Sequence, residues 1–133
     1  DRAVWSALAE PDDRVRLAAI QAVSAHPSAS AAPRLINLAR QEPLDDALRA
    51  AALDALVRAS RSTETRDLLL EIVEREIRRL RWASRDAAGR AVVTALAALA
   101  SHWAADPRVT PVLRRAAASR NPGIRLAATE GRT

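Results

Sequence analysis

At 133 residues, 49% hydrophobic and 28% charged, the chain reads as one ordinary globular domain rather than a disordered segment. It has no Cys, which removes disulfides, zinc thiolates and thiol nucleophiles, and no apolar run long enough to span a bilayer. The net charge of +5 comes from 21 basic residues that are all Arg, beside 32 Ala, a pairing typical of GC-rich coding, so the basic balance alone does not point to nucleic acid.

With three Gly and seven Pro there is too little turn material for a many-stranded β fold, and an Ala, Leu, Val and Ile core suits closely approaching helices. A short helix is expected over 2–9, ended by Pro11. Asp12 then suits the N-cap of a second, carrying Val15, Ala19, Ile20 and Val23 as far as His26-Pro27. A third covers 31–41 before Pro43, and Asp45 opens a fourth with Leu48, Ala52, Leu53 and Leu56. After a break at 60–63 comes a long helix near 65–82, free of Ala and crowded with Leu68, Leu69, Leu70, Ile72, Val73 and Ile77. The sixth carries Ala91, Ala95, Leu96 and Leu99, but Ala88 and Val92 replace the cap and the Arg found elsewhere. Its start is therefore expected near Ser84 or Asp86. A seventh spans 107–119, and Asn121-Pro122 opens the last, where a proline at the first helical position loses no hydrogen bond.

These helices repeat. VRLAAIQAVSAH from Val15, LRAAALDALVRA from Leu48 and AVVTALAALASH from Ala91 align without gaps, and IRLAAT from Ile124 begins the same way. The anchors Arg16, Arg49, Val92 and Arg125 are spaced by 33, 43 and 33 residues. The reading is a single array over 1–133 of four antiparallel helix pairs, with units at about 1–26, 30–59, 63–103 and 106–130. The ten extra residues lengthen the first helix of the third pair, by about 15 Å if all are helical. Arg16, Arg49 and Arg125 are expected to pair with their capping groups or with a neighbouring unit, at roughly 0.3–0.5 kcal/mol for an exposed pair.

The element D-D-R-V-R-L-A-A-I-Q-A-V from Asp12, its copy D-D-A-L-R-A-A-A-L-D-A-L from Asp45 and N-P-G-I-R-L-A-A from Asn121 resemble the second helix of short HEAT repeats, including the phycobilin-lyase-type relatives. The resemblance is strong at both ends of the chain and weak in the third unit. It implies an all-α fold, an α-solenoid whose second helices line a concave face. It implies no activity: such repeats occur as scaffolds, as arms of larger bacterial proteins and in lyases. One pair cannot bury its own apolar face, so stacking is obligatory. Because the chain opens on Asp1 and its last helix stops early, further repeats or another domain are expected to adjoin, or the ends to pack on another copy.

Opposite the buried stripe lie Arg14 and Gln21, Asp54 and Arg58, then Arg90, Thr94 and Ser101, a strip of mixed sign. This is the expected surface for a protein or peptide partner; a strip of one sign would have favoured nucleic acid. The charge is nevertheless lopsided, −1 over 1–67 and +6 over 68–133. Arg75, Arg78, Arg79, Arg81 and Arg85, with Arg90, form a possible anion patch for nucleic acid or another polyanion. The plainer reading is a solvated helix face tied by Glu71 to Arg75, Glu74 to Arg78 and Glu76 to Arg79. Trp82 alone offers a stacking platform there, which argues against single-strand binding.

His26 and His102 occupy one position of two aligned helices, so they read as C-terminal residues facing the negative end of the helix dipole. As metal ligands they lack company, with Asp106 the only carboxylate near His102. Trp5, Trp82 and Trp103 are possible partner anchors, Trp82 being the best placed for exposure. No paired carboxylates, phosphate loop or Ser-His-Asp grouping is present, so neither an enzyme nor a cofactor is expected. The sequence thus reads as a non-catalytic cytoplasmic scaffold with no membrane contact.

Overall fold

Residues 2–80 and 89–130 are described by the computed structural model, and within them the apolar stripes form eight α-helices and no strand. These are α1 (Arg2–Leu8), α2 (Asp13–Ala25), α3 (Ala32–Ala39), α4 (Asp46–Ala59), α5 (Thr63–Leu80), α6 (Arg90–His102), α7 (Thr110–Ala117) and α8 (Pro122–Glu130). Among the described residues no helix is long and apolar enough to cross a membrane.

The second helices begin where an acceptor meets the free amides of a first turn. Asp12 accepts from the Arg14 amide at 2.8 Å, and Asp45 from the Leu48 amide at 3.2 Å. Asn121, buried, accepts from the amides of Gly123 and Ile124 at 2.9 and 3.2 Å. For α6 the cap is Gly89, extended and without a side chain to bond, so this helix begins at Arg90; the expected starts at Ser84 and Asp86 lie outside the described residues. The long α5 begins at Thr63, with Ser62 accepting from the Thr65 amide at 3.3 Å.

Two first helices are shorter than periodicity suggests, each for a local reason. Ahead of α3, Ser28 caps a separate 3-10 turn at Ala29–Ala31. Ahead of α7, Asp106 takes the Arg108 amide on its carboxylate at 2.9 Å, while its carbonyl accepts from Val109 and Thr110. Residues 107–109 are thereby held in a turn, and the helix starts at Thr110 rather than Pro107.

The chain divides into two compact units, Asp1–Thr65 and Arg66–Thr133. In the first, α1 packs on α2, α3 on α4, and α2 lies along α4. Its core is Ile20, Leu35, Leu53 and Leu56, all essentially inaccessible, with Ala19, Ala52 and Ala55 allowing close approach. In the second, α7 packs on α8 and α8 lies along α6, around buried Leu96, Leu99, Leu113 and Ile124; Leu68, Leu69 and Val73 of α5 are also fully buried. Each fully buried Leu or Ile contributes about 1.5–3 kcal/mol. Both spacings of 33 residues fall inside a unit, Arg16 to Arg49 in the first and Val92 to Arg125 in the second, whereas the spacing of 43 runs from one unit to the other.

The recurring Arg residues act on backbone more than on the caps. Arg49 donates through Nε to the Ala39 carbonyl at 3.0 Å and through Nη2 to the Gln41 carbonyl at 2.7 Å, closing the C-terminal end of α3. Arg125 donates to the Ser119 carbonyl beyond α7 at 3.1 Å. Arg16 instead reaches the neighbouring pair, donating to Gln41 Oε1 at 2.9 Å, and also binds Asp13.

Candidate interaction surfaces

On the first unit the outward faces of α2 and α4 form a polar surface. Arg14 and Gln21 are exposed on α2, seven residues and so two turns apart on one face. Asp54 and Arg58 are exposed on α4, one turn apart, and joined by an ion pair of 3.3 Å. Gln21 and Asp54 are register equivalents on two helices that pack side by side, so they belong to one surface. Beside them Ala18, Ala25 and Ala47 are exposed, and so is Leu17, which lies between Arg14 and Gln21 along α2. On the second unit Arg90 and Ser101 are exposed on α6, and Thr94 is half-buried.

A second surface lies on α5. Its face carrying Asp67, Glu71, Glu74, Arg75 and Arg78 borders an open groove of about 590 Å³, walled on the other side by Pro107, Arg108 and Pro111. Arg66 at one end binds Asp67 at 2.9 Å and Asp106 at 2.9 Å. The hydrogen bond from the Arg108 amide, then the Arg66 guanidinium, holds the Asp106 carboxyl below its ordinary range. Asp67 and then Asp106 hold the Arg66 guanidinium more firmly protonated. Arg78 also donates to the Glu74 carbonyl at 3.3 Å. The groove therefore lines up three carboxylates and three guanidinium groups, whose fields largely cancel. Of the remaining patch, Arg79 lies on α5, its side chain outside the description, and Arg81, Arg85 and Trp82 lie outside the described residues.

The third feature is one that sequence reasoning missed. A cleft of about 290 Å³ lies among Val4 and Trp5 of α1, Ala22 and Val23 of α2, and His26, Ser28 and Ser30 beyond it. The Arg34 guanidinium stacks 4.3 Å from the centre of the Trp5 ring. Trp5 alone hinted at this site; its Arg partner is 29 residues away and became a neighbour only through the packing of α1 and α3.

No protein-family model, curated protein or solved structure matches this chain.

The two histidines belong to different units. His26 is the residue after α2, its amide donating to the Ala22 carbonyl, and it borders the Trp5 cleft of the first unit. His102 ends α6 in the second unit and meets Trp103 edge-on, with ring centres 5.9 Å apart. Asp106, the carboxylate nearest His102 in sequence, is engaged by Arg66 and the Arg108 amide. Among the described residues no three His, Cys, Asp or Glu side chains gather as a metal site would need.

Proposed function

We propose that this chain is a non-catalytic binding module, a HEAT-like α-solenoid in the cytoplasm, which presents the outward faces of its second helices to a protein or peptide. Arg14 and Gln21 on α2, Asp54 and Arg58 on α4, and Arg90, Thr94 and Ser101 on α6 are its contact residues. One observation carries the reading: α2 and α4 pack side by side and expose polar groups of both signs among small Ala side chains and the apolar Leu17. Such a surface has hydrogen-bonding posts and little entropy to lose, which suits a peptide main chain or a polar protein face.

The alternative is a polyanion partner gripped by Arg75 and Arg78, with Arg79, Arg81 and Arg85. It is the weaker reading because Asp67, Glu71 and Glu74 line the same groove. Peptides selected on the wild-type chain should lose binding to an Arg14→Glu, Arg58→Glu variant. Selected peptides that bind both chains equally would overturn the assignment of this strip. Titration with duplex and single-stranded DNA at low salt should show no saturable binding; a complex that weakens steeply with added salt would favour the alternative.

A further inference from the structure

Two residues that the sequence set apart, Trp5 and His26, meet in the cleft of the first unit, and neither belongs to the polar faces of α2 and α4. The walls of the cleft come from the first helix pair and from the turn that opens the second. At about 290 Å³ it lies at the small end of ligand sites, which run from about 300 to 1,000 Å³. That is room for one ring with a short side chain. Val4, Ala22, Val23 and Ala31 supply an apolar bed, and the half-buried Trp5 ring an aromatic wall. The polar groups are the His26 imidazole and the hydroxyls of Ser28 and Ser30. The two hydroxyls bond each other at 2.8 Å, and whichever donates, the other keeps a proton to offer.

The charge around this cleft has one sign. No carboxylate lines it, and the Arg34 guanidinium lies over its Trp5 wall, 4.3 Å from the ring centre. Beyond that stacking contact, Arg34 has no bonding partner among the described residues. A guanidinium held over a ring keeps its N–H fork in its own plane, free to grip a carboxylate. We propose that the cleft is a binding site for a small aromatic carboxylate. Its ring lies on the apolar bed beside Trp5, and its carboxylate is taken by Arg34 with the Ser28–Ser30 pair and His26. An aliphatic acid would forgo the ring contact with Trp5, and a neutral aromatic would leave the guanidinium unanswered. The small volume leaves no room for a flanking residue, which favours a free acid over the end of a peptide. The proposal uses none of the contact residues of the preceding reading and does not depend on it.

Nuclear magnetic resonance of the 133-residue chain tests it, with the indole N–H signal of Trp5 identified by its loss in Trp5→Phe. Phenylacetate should shift that signal saturably, with a dissociation constant of about 1 mM. Phenylacetamide, the neutral counterpart, should bind at least about fivefold more weakly. Arg34→Gln, at an exposed position, should weaken phenylacetate by about five- to tenfold and leave phenylacetamide unchanged. Ala22→Phe, which fills the cleft from the exposed side of α2, should abolish both, with helical circular dichroism unchanged; Ala22→Leu serves if the larger ring disturbs folding. No saturable shift up to about 20 mM phenylacetate, equal binding of acid and amide, or an Arg34→Gln chain that binds like wild type would each overturn the proposal. Tighter binding of acetylglycylphenylalanine than of phenylacetate would overturn the free acid as the occupant.

Discussion

Replacing Arg49 by Ala removes a clamp whose size can be worked out from its bonds. The guanidinium is 17% exposed and donates to two main-chain carbonyls at 3.0 and 2.7 Å, those of Ala39 and Gln41. Its third partner, Glu42, is 58% exposed, so that ion pair adds at most about 1 kcal/mol. A hydrogen bond from a charged donor is worth about 1.5–3 kcal/mol, and the freed carbonyls regain water in part, so Arg49→Ala should cost about 2–3 kcal/mol. Arg125→Ala loses a bond of 3.1 Å from an exposed side chain and should cost only about 0.5–1.5 kcal/mol. Arg49→Lys keeps the charge but not the planar fork, and should recover less than half of the loss. Urea unfolding followed by Trp fluorescence measures this, in one background that keeps only Trp5, to report on the first unit, and in another that keeps only Trp103, to report on the second. An Arg49→Ala chain within about 0.5 kcal/mol of wild type, or one no weaker than Arg125→Ala, would refute the clamp.

Core and surface should separate sharply: Leu96→Ala, at a fully buried site, is expected to cost about 2–5 kcal/mol in the same assay, and Leu126→Ala, 60% exposed, under about 1 kcal/mol. Asn121→Ala strips two amide bonds from the start of α8 and should cost about 1–2 kcal/mol, with Asn121→Asp restoring most of it. The Asp106 carboxyl titrates below its ordinary value, so the stability it adds is present at neutral pH and is lost as pH falls below about 4. Asp106→Asn should therefore unfold at lower urea than wild type near pH 7, and the difference should shrink as pH is taken below the ordinary Asp range; a difference that stays constant would argue against the assigned ion pair.

The helices and most of their starts were legible because their causes are local. Apolar residues at steps of three and four mark a stripe, and Asp12, Asp45 and Asn121 cap within three residues of themselves. What the sequence could not show depends on chain brought in from elsewhere. The acceptors of Arg49 are main-chain oxygens, which carry no residue identity to read, and they are aimed at it only once α3 has ended at Ala39. The start of α7 was misplaced because the Asp106 side chain captures an amide and diverts three residues into a turn, a competition that periodicity does not register. On the surfaces, the exposure of Arg14, Gln21, Asp54 and Arg58 followed from the helical wheel. The groove beside Arg75 and Arg78 did not, since its far wall belongs to Pro107, Arg108 and Pro111, about 30 residues on.

Gln41 offers two handles to two different arginines: its amide oxygen to Arg16 from the first helix pair and its carbonyl to Arg49 from the second. Truncating the side chain cuts only the former link, because every residue type retains the carbonyl. Gln41→Ala and Arg49→Ala thus let a geneticist loosen the seam between adjacent hairpins separately from the closure within one of them.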